Sequence, residues 1–195
     1  KAVKLGGDLA IAPAQAAPLL VSEHPGEGRF FELNDRLPAL PPSGAPAAAV
    51  HVFWDRSVSR LDDDLAAERA LLGDWLRAKG AQKVSVTLFD STAPETHADL
   101  TPQAALSLIA GQRYRGGTSY AGLAEVKVAA GTPCLLFSDG RPTIDGQGQG
   151  LPCAARAVTS GPEADRALLS ELTGNAPVEL DTKNHAAALS RLLGP

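Results

Sequence analysis

One stretch constrains the fold of this chain more than any other: an apolar run that ends in a carboxylate and is followed by two hydroxyls. Residues 47–54 are nearly all apolar, and Asp55 closes the run. Ser57 and Ser59 follow at alternate positions. A strand that is apolar along its length is typical of the centre of a parallel sheet, because both of its faces are covered there. The pattern predicts a buried strand over about 48–55 that brings these polar side chains to one edge of a sheet.

Strand and helix patterns alternate through the rest of the chain. Further strands are predicted at about 83–89, 133–138, 154–158 and 177–180, with a short edge strand at 92–99. Helices are predicted at about 61–78, 102–110 (with Thr101 as N-cap), 162–173 and 184–193, with a shorter one after Thr118. This order favours an α/β fold: a three-layer α/β/α sandwich whose Rossmann-like, mostly parallel central sheet has one short antiparallel edge strand.

The first 46 residues have a different character. Leu19–Ser22 and Arg29–Leu33 have strand character, and the turn-forming residues between them predict a β-hairpin. Four prolines in 34–46 favour an extended connection. We therefore expect two parts: residues 1–46 as an N-terminal extension with a hairpin and a Pro-rich connection, and 47–195 as the main domain.

Two later pieces of sequence bring oxygen donors to the same edge of the predicted sheet. Thr118 ends a Gly-Gly-Thr sequence, and Asp139 directly follows a predicted strand. Ligands of open α/β sheets bind beyond the carboxyl ends of the strands, where Asp55 and Asp139 are both expected. With Ser57 and Ser59, the set offers two carboxylates and three hydroxyls. These are hard donors, which suit Mg²⁺ or Mn²⁺.

The three pieces, Asp-x-Ser-x-Ser at 55–59, Gly-Gly-Thr at 116–118 and Ser-Asp-Gly at 138–140, together resemble a known site. They are similar to the metal-ion-dependent adhesion site of von Willebrand factor type A (vWA) domains, and the resemblance covers about residues 47–195. Residues 19–33 are also similar to the chain that enters this domain in proteins of the inter-alpha-trypsin inhibitor heavy-chain type, through the pattern His-Pro-Gly-x-Gly-x-x-Phe.

The resemblance implies a role for each candidate ligand. Ser57, Ser59 and Thr118 would coordinate Mg²⁺ or Mn²⁺ directly or through water, and Asp55 and Asp139 would hold it directly or through ordered waters. Two carboxylates leave the cation incompletely neutralised, so a carboxylate of a protein partner can complete its shell. The function implied is a non-enzymatic interaction or adhesion module that binds an acidic group through a divalent cation.

Val58 departs from the family pattern, which usually has glycine between the two serines. If that glycine adopts a conformation that a β-branched residue cannot, the loop has to shift and cation affinity falls. The alternative is therefore a metal-free vWA scaffold with a vestigial site. An Mg²⁺-dependent hydrolase is a further alternative, although the chain has neither a Gly-x-Ser-x-Gly elbow nor a Walker-type loop.

Charged residues crowd this part of the sequence. Asp62, Asp63 and Asp64 are predicted to form a solvated helix start, in the first turn, where the dipole favours negative charge; a second cation site is the alternative. Arginines in or beside the predicted loops are Arg56, Arg60, Arg113, Arg115 and Arg141. All but Arg60 are candidates for contacts with an acidic partner. The alternatives are solvated arginines, or an arginine that pairs with a site carboxylate and replaces the cation.

Composition and cysteines limit the remaining possibilities. A net charge of −4 argues against nucleic-acid binding, and no apolar run is long enough to insert into a membrane. Cys134 and Cys153 each follow a proline and start an apolar stretch. Two buried thiols are favoured, with a disulfide as the alternative if the two strands are neighbours. The chain lacks methionine and is expected to be a fragment or processed form, which leaves its location open; an extracellular or periplasmic location is favoured over the cytoplasm.

Overall fold

The structure, a computed structural model, describes residues 19–24, 26, 28–33, 46–144, 150–181 and 183–194. The chain divides into two compact units, Lys1–Pro41 and Pro42–Pro195. In the first unit, strands β1 (Leu19–His24) and β2 (Gly28–Leu33) pair antiparallel. The boundary between extension and domain at residue 46, and the resemblance of this segment to inter-alpha-trypsin inhibitor heavy chains, stay predictions.

The second unit contains a six-stranded sheet. Its strands are β3 (Ala49–Asp55), β4 (Lys83–Phe89), β5 (Glu95–Leu100), β6 (Cys134–Phe137), β7 (Ala155–Thr159) and β8 (Val178–Glu179). They lie in the order β5-β4-β3-β6-β7-β8. Neighbours are parallel except β4 and β5, which pair antiparallel at one edge. The predicted mostly parallel sheet with one antiparallel edge strand is confirmed.

Two of the four helices begin four residues later than their sequence patterns predict. They are α1 (Leu65–Lys79), α2 (Pro102–Ala110), α3 (Arg166–Thr173) and α4 (His185–Leu193), with 3₁₀ helices at Val58–Asp62 and Leu123–Glu125. The prediction that a helix begins at 61 was wrong, because Asp63 is extended and Asp64 provides the N-cap, accepting the Ala67 N–H at 3.0 Å. The helix predicted after Thr118 is only the second 3₁₀ helix, which follows Gly122 in the left-handed region.

Two apolar layers cover the sheet. Alternate residues of β3 point to opposite faces. Trp54 packs with residues of α1, α2 and α4 in one core cluster. Phe53 packs with residues of α3 and of the loop that precedes the second 3₁₀ helix in the other. This arrangement confirms the three layers. No helix among the described residues is long and apolar enough to cross a membrane.

A disulfide joins Cys134 to Cys153, so the favoured prediction of two buried thiols was wrong. Cys134 starts β6 and pairs with Ala155 of the adjacent strand β7, which lies two residues beyond Cys153. This strand pairing brings the two Cα atoms to 6.4 Å, within the range that a disulfide spans. The alternative that depended on neighbouring strands is therefore the one that the fold adopts.

His51 is a buried core residue of β3, and its Nε2 lies 2.8 Å from the hydroxyl of Thr87. Burial lowers the pKa of His51 to about 4 from 6.5. The unfolded chain therefore binds a proton between these two pH values that the folded chain does not. We expect His51 to cost the folded state up to about 3 kcal/mol as pH falls from about 6.5 to about 4, with no further loss below that.

The measurement is urea unfolding as a function of pH for the wild type and for His51→Gln. Glutamine keeps a polar group near Thr87 but does not titrate. The difference between the two proteins isolates His51 from buried carboxylates, whose raised pKa values act in the opposite direction. Parallel stability curves over this pH range would contradict the prediction.

Candidate cation site

The candidate ligands meet at the carboxyl edge of the sheet. Asp55 is the last residue of β3, and Asp139 lies two residues beyond the end of β6. The two strands are parallel neighbours, with Trp54 opposite Phe137. The loop that carries Thr118 is anchored at the same edge, because Ser119 N–H donates to the carbonyl of Asp90 just past β4. The fold thus brings together donors separated by up to 84 residues.

Asp55 is fully buried and fixed in orientation. Its Oδ1 accepts the Ser57 N–H at 2.9 Å, and its Oδ2 accepts the Ser138 hydroxyl at 2.6 Å. The Tyr120 hydroxyl lies 2.7 Å from Ser138 Oγ and can donate to it. Burial raises the pKa of Asp55, while the positive charge of Arg60 and these hydrogen bonds partly oppose the rise. The carboxylate is therefore preorganised by its neighbours. Ser138 belongs to the Ser-Asp-Gly piece of the motif but was given no role from the sequence, and Tyr120 was not identified.

The other donors include two buried oxygens that have no hydrogen-bond partner among the described residues: Thr118 Oγ1 and Asp139 Oδ2. Thr118 is held by its backbone, whose N–H donates to Thr143 Oγ1 at 2.7 Å. Asp139 uses only Oδ1, which accepts the Arg141 N–H at 3.0 Å. Buried polar atoms are nearly always paired, and an unpaired one costs about 1–3 kcal/mol. This chemistry fits a site that takes up a hard cation with its waters.

The remaining two donors are hydroxyls close to each other. Ser57 Oγ lies 3.1 Å from Ser59 Oγ. A cleft of about 170 Å³ opens beside Ser59 and Asp139, with Asp63 and Arg141 also in its wall. It has room for waters or for a carboxylate group. Among the described residues, no group of three or more His, Cys, Asp and Glu side chains could hold a metal. The candidate set is of another kind, because three of its five donors are hydroxyls.

Val58 fits its position without strain. Among the described residues, Asp99 is the only non-glycine with a positive φ, so Val58 does not need the left-handed region. Its N–H donates to the Gly116 carbonyl at 3.1 Å, which links the serine loop to the threonine loop. Gly140, in contrast, is required: it has φ of 73°, and a Cβ there would lie 2.5 Å from the carbonyl oxygen of Asp165.

Arg60, the residue after Ser59, forms a buried ion network. Its side chain is fully buried and pairs with Asp63 and with Glu68. Glu68 Oε1 also accepts the Ser160 hydroxyl at 2.8 Å. The prediction that Asp63 belongs to a solvated helix start was wrong, because its side chain is only 3% exposed. Glu68 was not identified from the sequence. The signal for it was a charged residue at helical spacing from the apolar residues of α1 that face the core, such as Leu72 and Trp75.

One guanidinium serves several carboxylates in this network. Burial raises the pKa of Glu68 to about 7, and Arg60 partly opposes the rise. Burial also raises the pKa of Asp63, again against the charge of Arg60. With Asp55 nearby, three buried carboxylates surround a single positive charge. The edge of the sheet therefore has an excess of potential negative charge that an added cation would reduce.

The other arginines differ in their exposure and in their ion pairs. Arg56 is buried, and its guanidinium donates to Asp90 at 3.0 Å and to Glu95 at 3.2 Å. Asp90, the residue directly after β4, was not identified from the sequence. Arg141 is 44% exposed and pairs with Glu163. Arg113 and Arg115 are exposed beside the threonine loop. The partner-binding role of Arg56, Arg113, Arg115 and Arg141 stays a prediction.

Comparisons with known proteins support the fold. The sequence matches no family model and no curated protein. By structure it is similar to an aerotolerance-related membrane protein from Bacteroides fragilis (TM-score 0.57, 14% identity, 75% of this chain and 98% of that one). It is also similar to proximal thread matrix protein 1 of the mussel byssus (TM-score 0.54, 18% identity, 76% of this chain and 46% of that one). A von Willebrand factor type A protein from Catenulispora acidiphila also matches (TM-score 0.53, 13% identity, 76% of this chain and 42% of that one).

The match spans less than half of the mussel and Catenulispora chains. At these identities the likeness concerns the fold alone. The six-stranded, mostly parallel sheet with helices on both faces is thus a vWA-like Rossmann fold.

Proposed function

We propose that this unit is a non-enzymatic protein-interaction module that binds Mg²⁺ or Mn²⁺ through Asp55, Ser57, Ser59, Thr118 and Asp139 and captures a carboxylate of a protein partner. The observation that carries the proposal is the pair of buried oxygens without partners, Thr118 Oγ1 and Asp139 Oδ2. Both belong to the motif pieces that resemble the adhesion site. A hard cation would satisfy such oxygens and is itself suited by hydroxyl and carboxylate donors.

The charges around the site support capture of an acidic partner. Asp55 and Asp139 are the two charged ligands of the set, and the three hydroxyls are neutral. Mg²⁺ keeps waters in its coordination shell, and a carboxylate of a partner can replace one of them. Arg60 adds a positive charge near Asp55, and the adjacent cleft has room for the carboxylate.

The arrangement of side chains supports binding rather than turnover. The serine hydroxyls lie against each other, and both oxygens of Asp55 already accept hydrogen bonds. Among the described hydrogen bonds of Ser57 and Ser59, neither hydroxyl contacts a base that could activate it as a nucleophile. What the chain supplies is a rigid set of oxygen donors, fixed by Ser138 and the backbone.

The decisive experiment is thermal unfolding with Mg²⁺, Mn²⁺ or EDTA for the wild type and Thr118→Val. A cation that binds only the folded state adds about 2.7 kcal/mol at 100-fold excess over Kd, which raises Tm by several degrees. Valine has the shape of threonine and removes only a hydroxyl that has no partner among the described residues. We expect Thr118→Val to lose the cation-dependent shift while keeping or raising its Tm in EDTA.

Thr159→Val is the matched control. Thr159 Oγ1 is another buried hydroxyl without a partner among the described residues, on β7 and outside the proposed ligand set. This variant is expected to keep the full response to Mg²⁺. No shift in the wild type up to about 10 mM cation would instead favour the metal-free scaffold. An equal shift in Thr118→Val would mean that the cation binds without Thr118 and would contradict the proposed ligand set.

A further inference from the structure

We propose that an apolar rim around the candidate cation site selects a particular partner: an internal Asp or Glu of a protein segment with large apolar residues on both sides. The rim consists of Val58, Leu61 and Ile144. The inference rests on the proposed function, since the cation would anchor the carboxylate. It adds the chemistry of the residues that flank that carboxylate.

The rim side chains are unusually exposed for their type. Val58, Leu61 and Ile144 are 52%, 59% and 58% exposed, respectively. Within the described part of the chain, the one other large apolar side chain with comparable exposure is Val21, in the hairpin unit. Single exposed apolar residues are ordinary on protein surfaces, whereas contiguous apolar patches mark interaction sites.

Two rim residues alternate with the candidate ligands on one short segment. Val58 stands between Ser57 and Ser59, and Leu61 is two residues beyond Ser59 in the same 3₁₀ helix. The serine hydroxyls are held toward each other, while the Val58 side chain is exposed. Apolar and metal-binding groups therefore share one loop.

The third rim residue lies on the segment after β6, the same segment that carries Asp139. Ile144 packs against Gly117, where a Cβ would lie 2.9 Å from Ile144 Cγ1. Gly117 directly precedes Thr118, and Gly116 accepts the N–H of Val58 at 3.1 Å. The threonine loop thus connects Ile144 to the segment that carries the other two rim residues.

This placement determines what kind of carboxylate fits. A small acid such as acetate could reach a cation but would leave the rim exposed. The rim residues come from two loops, the β3–α1 connection and the segment after β6. A chain-terminal carboxylate has apolar neighbours on one side only. An internal acidic residue with apolar neighbours on both sides can contact both loops, and burying those side chains favours binding.

The test uses short peptides, acetylated and amidated at their ends, with the cores Leu-Asp-Leu, Ser-Asp-Ser and Leu-Asn-Leu. Affinities are measured by NMR titration of the full chain in saturating Mg²⁺ and in EDTA. We expect Leu-Asp-Leu to bind at least about tenfold more tightly than Ser-Asp-Ser in Mg²⁺, and Leu-Asn-Leu to bind at least about tenfold more weakly than Leu-Asp-Leu. The double variant Leu61→Ser, Ile144→Ser should remove the preference for leucine.

Two controls make the result specific. Val21→Ser removes an equally exposed apolar side chain from the hairpin unit and should leave every affinity unchanged. The rim variants replace exposed side chains that are not proposed ligands, so their shift of Tm with Mg²⁺ should equal that of the wild type. Val58 is left intact because it lies between two candidate ligands.

The outcomes separate the inference from the proposed function. Mg²⁺-dependent binding with equal affinity for the two Asp peptides would overturn the proposed selectivity of the rim but would still support the cation site. No binding of either Asp peptide to a protein that responds to Mg²⁺ would also overturn it. Leucine-dependent binding that persists in EDTA or with the Asn peptide would contradict carboxylate capture itself. Tighter binding of a peptide that ends in Leu-Leu with a free carboxylate would overturn the choice of an internal residue.

Discussion

Arg60→Met is expected to destabilise the second unit by about 3–5 kcal/mol, because removing one partner of a buried ion pair leaves the other charge uncompensated. Arg60 is fully buried and is the partner of both Asp63 and Glu68. Methionine can fill much of the volume beside Trp54, whose ring centroid lies 5.7 Å from the guanidinium carbon. It cannot balance the carboxylates, so the loss is expected to be electrostatic rather than a packing defect.

Urea unfolding at neutral pH measures this loss, and Arg77→Met is the matched control. Arg77 also pairs with a carboxylate, that of Asp74 at 2.6 Å, but its side chain is 78% exposed. Exposed pairs contribute about 0–1 kcal/mol, so this variant should be nearly neutral. A loss in Arg60→Met no larger than that in Arg77→Met would contradict the buried network.

A double variant identifies the source of the loss. If uncompensated charge is the cause, adding Glu68→Gln to Arg60→Met should recover part of the lost free energy of unfolding, because it removes one of the stranded carboxylates. Additive losses would mean that Arg60 acts through packing alone. The same network bears on function, since Arg60 and an added cation would share the task of balancing the negative charge near Asp55.

The sequence predicted the fold well because its strongest patterns are local. The apolar run before Asp55 has the length and composition of a buried parallel strand, and strand β3 occupies Ala49–Asp55. The alternation of elements then restricts the topology, since parallel neighbours need crossover helices. The candidate site could be located for the same reason: parallel strands end at the same edge, which brings Asp55 and Asp139 together.

The parts that could not be predicted depend on tertiary partners. Arginine is rarely buried, so the residue type at position 60 does not predict a core position. Its burial requires Asp63, three residues later, to turn inward, and this ends the 3₁₀ helix before α1 begins. Whether Val58 strains the serine loop depends on its φ angle, which the sequence does not give.

The disulfide gives the second large expected effect. The double variant Cys134→Ala, Cys153→Ala is expected to lower the free energy of unfolding by about 3 kcal/mol, since the bond closes a loop with a sequence separation of 19 and restricts the unfolded chain. Urea unfolding of the variant and of wild type, with and without a reductant, measures the effect. Reductant should lower the stability of wild type toward that of the variant and leave the variant unchanged.

The position of the bond predicts a second result. Cys134 is the first residue of β6, whereas Asp139 lies just beyond the opposite end of that strand. The variant should therefore be less stable but should keep the same increment of Tm with Mg²⁺ as the wild type. Loss of that increment would mean that the bond also orders the site, whereas equal stability with and without the bond would contradict its structural role. Disulfides form and persist mainly in oxidising compartments, so the state of this bond in protein freshly isolated from its native source tests the prediction of an extracellular or periplasmic location.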